Sequence, residues 1–228
     1  LWPIVQNGLK PVFVDVELDT FNISLDDLKK KISKKTKAVM CIHILGTSTN
    51  MQKLNQIAKK YKLLIIEDTC ESLGARYNNK YLGSFGEFGT FSFYYSHQIT
   101  CGEGGMIVCK NKEDYNILKT LRSHGWSRNT TFEKRFKKKY QKVDNRFMFV
   151  NSGYNLRPTD IQAAIGLSQF KRLEIFKKIR KENRIKIIKN LKSHIKWKNQ
   201  FKFVEINKNI HPSWFGLAIL INPVYKIK

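Results

Sequence analysis

Ala38-Val39-Met40-Cys41-Ile42-His43-Ile44, then Met51 to Tyr61, then Leu63-Leu64-Ile65-Ile66-Glu67-Asp68, is the stretch whose reading decides the fold. The first run is short and apolar, the pattern of a strand buried on both faces of a sheet. The middle segment has helical spacing. The last run reads as a second buried strand that ends at two carboxylates. Upstream, Lys10-Pro11-Val12-Phe13-Val14-Asp15-Val16 reads as another strand, and Ser24 suits the cap of a helix from Leu25 to about Ile32. Strand, helix, strand, helix, strand predicts an α/β fold with a mainly parallel sheet flanked by helices.

Farther along, Gly83, Gly86 and Gly89 punctuate a loop, Thr90 to Phe93 and Gly105 to Cys109 read as strands, and Lys112 to Arg122 reads as a helix. Residues 123–152 are polar, basic and aromatic without a clean period. A segment that long is expected to be a functional excursion or an intersubunit arm. Pro158 suits the first turn of a helix, and apolar residues recur at helical spacing from Ile161 towards Leu191. Phe201 to Ile206 and Trp214 to Ile221 read as strands of a smaller α+β domain. The expected division is a large domain over residues 1–157, then a long connecting helix and the start of the small domain over 158–228.

The 228 residues can bury a sizeable core, and a hydrophobic fraction of 42% is ordinary for a globular protein. No apolar run approaches a membrane span and no secretory leader is visible, so no membrane partner is expected. The 42 Lys plus Arg against 18 Asp plus Glu give a net charge of +24. Nucleic-acid binding is the functional reading of such a charge. The excess is mostly lysine on presumed helix faces such as Lys29-Lys30-Lys31, and no nucleic-acid motif accompanies it, so nucleic acid is not the expected partner. Cys41, Cys70, Cys101 and Cys109 form no CxxC pair, which disfavours structural zinc and fits a reducing cytoplasm. Leu1-Trp2-Pro3-Ile4 reads as the interior of something longer, and the chain is expected to be a piece of a larger protein.

Three motifs carry chemistry. The first is Ile66-Glu67-Asp68-Thr69-Cys70-Glu71-Ser72-Leu73-Gly74-Ala75. The second is Gly89-Thr90-Phe91-Ser92-Phe93-Tyr94-Tyr95-Ser96-His97-Gln98-Ile99-Thr100-Cys101-Gly102-Glu103-Gly104-Gly105. The third runs from Val150-Asn151-Ser152-Gly153-Tyr154-Asn155-Leu156-Arg157-Pro158-Thr159-Asp160 to Gly166. In this order they resemble the DegT/StrS family of pyridoxal-phosphate enzymes that act on nucleotide-linked sugars, a family of fold type I. Asp68 also stands alone as a candidate: it follows a buried strand, and ligands of parallel sheets bind beyond the carboxyl ends of strands.

The resemblance implies roles. Asp68 would sit beside the pyridine nitrogen and keep it protonated, so that the ring can draw electrons. Glu71 stands where the family commonly has glutamine against the ring's phenolic oxygen. Ser92 would be the phosphate ligand, since a hydroxyl donor suits a phosphate. Asn155 would reach the cofactor phosphate of a second subunit, which implies a homodimer, and Arg157 would contact substrate phosphates. Without the motifs, Asp68 could be a helix cap, Glu71 a surface carboxylate, Ser92 a small strand residue and Asn155 a turn residue.

His97 is the departure that sets the reaction. Most members have lysine there, bonded to the cofactor, and an imidazole cannot make that bond. Histidine at this position is similar to one subset, the nucleotide-sugar 3-dehydratases, which His211-Pro212-Ser213-Trp214-Phe215-Gly216 also resembles. That subset implies pyridoxamine phosphate as the working cofactor, His97 as the base, and loss of the C-3 hydroxyl from a 4-keto-6-deoxy sugar. One branch of it carries a cysteine cluster for an iron–sulfur centre. The corresponding stretch, Trp126 to Phe136, has no cysteine, so no such cluster is expected and an amino-acid donor such as glutamate would recharge the cofactor. A sugar aminotransferase and a non-catalytic sugar-nucleotide binder remain the alternatives.

Overall fold

The structure, a computed structural model, describes residues 1–225. The chain opens with α1 (Trp2–Gln6) and a long irregular stretch before α2 (Leu25–Lys31), β1 (Ala38–Ile42), α3 (Met51–Tyr61) and β2 (Leu64–Asp68). The helix starts follow from their caps. The Ser24 side chain accepts the Asp27 N–H, and the Asn50 side chain accepts the Lys53 N–H at 3.0 Å. Asp26 and Asp27 in the first turn of α2 and Lys29 to Lys31 in its last turn complement the helix dipole. Helix α3 stops where Lys62 turns left-handed at φ 54°.

A short ribbon of β3 (Arg76–Tyr77) and β4 (Lys80–Tyr81) precedes β5 (Phe88–Ser92) and β6 (Gly105–Cys109). The central sheet runs β1-β2-β5-β6. Strands β1, β2 and β5 are parallel, with Ile42 beside Asp68 and Asp68 beside Thr90, and β6 is antiparallel to β5. The α/β reading with a mainly parallel sheet therefore holds. Along β1 and β2 the side chains alternate. Val39, Cys41 and Ile65 are buried with Leu25, Leu28, Met51, Leu54 and Ile57 from α2 and α3. Met40, Ile42 and Leu64 are exposed. The expectation of burial on both faces is thus corrected: the covering helices lie on one side among the described residues, and an apolar run alone does not tell one covered face from two.

The other departures have local causes. Lys10 to Val16 forms no strand; only Val16 bridges, to Ile23. The Asp15 N–H donates to the Asp27 carboxylate at 2.7 Å and the Val16 N–H to the Asp15 carboxylate at 2.8 Å, which removes donors a ladder would need. After α4 (Lys112–Leu121), the region without a clean period holds α5 (Thr131–Lys139). There the lysine surplus hides a one-sided pattern in which Phe136 stacks on Tyr140. The next helices are α6 (Asp160–Phe170) and α7 (Leu173–Ser193), so the apolar row from Ile161 is two helices rather than one. Pro158 lies outside α6, because Thr159 is the cap and forms a capping box with Gln162.

The last elements are β7 (Phe201–Phe203), β8 (Ile210–His211) and β9 (Ile219–Ile221). Strands β7 and β9 pair antiparallel. Residues 214–218 form no strand; instead the Ser213 N–H donates to the Gly46 carbonyl and the Phe215 N–H to the Leu45 carbonyl. Strand β8 adds to β3, placing Ile210 opposite Tyr77. The C-terminal segment is thereby sewn to the turn that follows β1. No helix among the described residues is long and apolar enough to cross a membrane.

Candidate active site

Asp68 ends β2 and Ser92 ends β5, so adjacent parallel strands bring both to the carboxyl edge of the sheet. That is the edge where α/β sheets bind ligands. The Asp68 Oδ1 accepts the Cys70 N–H at 3.1 Å. Burial first, and the Asp68 carboxylate second, push the Cys70 thiol up to about 12, so Cys70 stays a neutral thiol beside Asp68. The Ser92 Oγ accepts the Tyr94 N–H at 3.2 Å, a bond that leaves its own hydroxyl hydrogen free to donate.

His97 lies in the loop between β5 and β6. That loop is stapled at its base: the Phe93 N–H donates to the Gly104 carbonyl at 2.8 Å and the Cys101 N–H to the Phe93 carbonyl at 3.0 Å. Gly104 is needed for the staple, since a Cβ there would meet the Cys101 Sγ at 2.5 Å. The His97 N–H donates to the Tyr94 carbonyl, and the imidazole sits edge-on between the Tyr94 ring at 5.8 Å and the Phe215 ring at 5.5 Å. Its Nδ1 is buried and has no partner among the described residues. The imidazole is held by packing and keeps a nitrogen uncommitted, which suits a group that must take and give a proton.

Glu71 is engaged on the protein side. Its carboxylate accepts the Leu45 N–H at 2.8 Å, and its carbonyl accepts from the Gln98 amide. Leu45 is left-handed at φ 55°, and Gly46 beside it leaves no room for a Cβ, which would fall 1.9 Å from the Ser213 carbonyl. Glu71 therefore braces the turn to which Phe215 is bonded, and Phe215 packs on His97. This scaffold role follows from geometry; the sequence offers only a glutamate in a glutamine position.

Asn155 and Arg157 are exposed. The backbone around them is fixed by bonds of His124 to the Tyr154 carbonyl, Tyr154 to the Leu121 carbonyl and Leu156 to the Arg122 carbonyl. Among the described residues no hydrogen bond or ion pair joins them to Asp68, Glu71, Ser92 or His97. Four of the six candidates thus gather around β2, β5 and the His97 loop, while two face outwards on a rigid segment.

Sequence reasoning passed over three participants. Glu67 is fully buried, and its carboxylate accepts from His43 Nε2 at 2.9 Å and from the N–H groups of Gly83, Phe85 and Gly86 at 2.6–2.8 Å. Burial alone would raise its pKa, but the bonds from His43 and from the Gly86 and Gly83 N–H groups outweigh it and hold the carboxyl below the ordinary range. The signal was legible: neighbours in a strand point to opposite faces, so a Glu67-Asp68 pair puts one carboxylate in the core. Gln98 and Arg180 gave no such signal. They line, with Tyr95, His97 and Thr100, a cleft of about 290 Å³ between the His97 loop and α7. Burial lowers the Arg180 pKa below the usual guanidinium range.

The arrangement fits a pyridoxal-type cofactor at the sheet edge: a carboxylate for a ring nitrogen, a hydroxyl for a phosphate and a half-buried imidazole whose Nδ1 is open. No group of three or more His, Cys, Asp or Glu among the described residues could hold a metal ion.

Residues 2–225 match the model of the DegT/DnrJ/EryC1/StrS aminotransferase family. The chain is 36% identical over 223 residues to a GDP-4-keto-6-deoxy-D-mannose 3-dehydratase of Escherichia coli O55:H7, covering 96% of this chain and 56% of that protein. Its structure resembles that of an E. coli GDP-4-keto-6-deoxy-D-mannose-3-dehydratase with bound hydrated PLP (TM-score 0.86, 34% identity), covering 99% of this chain and 57% of the other. It also resembles the sugar aminotransferase CalS13 from Micromonospora echinospora, with TM-score 0.82 and 27% identity over 98% of this chain and 58% of that one. The chain spans a little over half the length of these relatives.

Proposed function

The chain belongs to the DegT/DnrJ/EryC1/StrS aminotransferase family, and on that premise we propose that its protein is a 3-dehydratase of a 4-keto-6-deoxy nucleotide sugar, with His97 as the proton-carrying base. The supporting observation is the imidazole itself: His97 occupies the position where most of the family has a bonded lysine, and its Nδ1 is buried with no partner among the described residues. When bound, pyridoxamine phosphate supplies an amine that captures the sugar's keto group and a ring that takes up electrons.

The chain's own residues divide the remaining work. Asp68 places a negative charge at the ring-nitrogen side and favours its protonated form. The Ser92 hydroxyl donates to the phosphate. The uncommitted His97 nitrogen takes a proton from carbon and can deliver it to the departing C-3 hydroxyl, because an imidazole nitrogen can both accept and donate a proton. Tyr94 and Phe215 hold the ring. On this reading Glu71 supports the pocket, Asn155 serves the phosphate of a second subunit in a homodimer, and Arg157 meets the substrate's diphosphate. Residues 1–157 form the cofactor-binding part, residues 158–228 lead into a smaller domain, and an amino acid such as glutamate restores the amine in the cytoplasm.

The test is a product assay. The purified protein is incubated with pyridoxamine phosphate and a GDP- or dTDP-linked 4-keto-6-deoxy sugar, and the products are separated by mass. The 3-deoxy keto sugar is expected; a 4-amino sugar with its 3-hydroxyl intact would reject the dehydratase reading in favour of transamination.

A further inference from the structure

We infer that Gln98 is a positioning residue for His97 and that Arg180, reaching in from α7, completes its hydrogen bonding. This inference rests on His97 being the proton-carrying group. Gln98 is 2% exposed. Its Nε2 donates to the Glu71 carbonyl, which fixes the orientation of the amide, since a carbonyl only accepts. Its Oε1 therefore faces away from Glu71 and is buried without a partner among the described residues.

The complementary group is present. Arg180 Nη1 is also buried without a partner among the described residues, and both side chains line the one cleft behind the His97 loop. No carboxylate lines that cleft. An orphan acceptor and an orphan donor in one polar cleft, with no direct bond between them, are both satisfied by one bridging water, and the volume admits a water. Gln98 then has both ends of its amide fixed, one on the segment carrying Glu71 and one on α7.

The consequence falls on the adjacent residue. The staples of the loop lie at Phe93, Cys101 and Gly104, on either side of His97. Between them, the Gln98 side chain ties the loop inwards through its bond to the Glu71 carbonyl. His97 lines the same cleft while Asp68 and Ser92 do not, so the pair acts on the imidazole's surroundings and away from the sheet-edge groups. A misplacement of about 1 Å in a catalytic group can cost on the order of 10²-fold in rate.

The experiment compares Gln98→Met, which keeps length and removes both polar ends, with Arg180→Met and Arg180→Lys. Three quantities are read: kcat and KM, retention of the vitamin B6 cofactor, and the His97 ring resonance by NMR, assigned with His97→Asn. Gln98→Met is expected to lower kcat by about tenfold or more while KM and cofactor retention stay within about twofold. The His97 resonance should move, while those of His43, His124, His194 and His211 stay. Arg180→Met should do the same to a smaller degree, and Arg180→Lys should restore much of the loss. An unmoved His97 resonance in Gln98→Met, whatever happens to kcat, overturns the inference. If Gln98→Met does not fold, the arginine pair decides: wild-type behaviour of Arg180→Met overturns it. A wild-type protein inactive as a dehydratase defeats the proposed function, whereas the resonance reports on positioning regardless.

Discussion

Glu67 and His97 are both packed polar side chains near the carboxyl edge of the sheet, and the protein treats them oppositely. The two oxygens of Glu67 take one bond from His43 and three from backbone N–H groups, so the carboxylate knits β2 to the Gly83–Gly86 loop. His97 is clasped by two aromatic edges and its Nδ1 has no partner among the described residues. Saturation marks the group whose work is to stay in place. The open Nδ1 of His97 sits on a braced loop inside the chemistry-bearing motif, where it is available for a proton; His43 Nδ1 is open too, but its ring is already committed to Glu67 through Nε2.

The comparison breaks most directly at Glu67. Glu67→Ala leaves His43 and three N–H groups without their acceptor, and about 3–5 kcal/mol of stability should be lost, read from urea unfolding. The pH dependence has a definite sign. The folded pKa of Glu67 is lowered, so its contribution is present above the ordinary glutamate value near 4.3 and is lost as pH falls through the lowered folded value. The stability gap between wild type and Glu67→Gln should close on the acid side of pH 4, and a gap that widened there would contradict the assignment.

His97→Asn probes the open group. Activity should fall by about 10² to 10⁴-fold, while the melting midpoint stays close to wild type. A variant that unfolded instead would make His97 a structural histidine. Gly46→Ala tests the brace between the two regions. Its Cβ would strike the Ser213 carbonyl at a φ of 84°, so about 1–3 kcal/mol of stability should go, with a fall in activity through Phe215. Thr159→Ala, at the cap of α6 and away from both, should cost about 1 kcal/mol and spare kcat.

The sequence made the centre of the sheet legible because there local and tertiary signals agree. Met51 to Tyr61 is the helix its spacing predicts, and Gly105 to Cys109 is the strand its residues predict. It misled where a side chain outbid the ladder, as Asp15 and Asp27 do over Lys10 to Val16. It was silent where lysine-rich composition masked the period of α5. Of the candidate site, Asp68, Ser92 and His97 could be named from the motifs that carry them, and the strand ends place Asp68 and Ser92 at the sheet edge. The links through Gln98, Arg180 and Phe215 could not, because they join residues 27 to 170 positions apart, and only the folded chain puts them side by side.

The central claim is that the imidazole at position 97 leaves the cofactor free of a covalent tie to the protein. The most direct measurement is borohydride reduction of the cofactor-loaded protein followed by peptide mass mapping. No peptide lining the pocket should carry a pyridoxyl mass, whereas a His97→Lys variant should acquire one at that position. A pyridoxyl adduct on a pocket lysine of the wild-type protein would contradict the account.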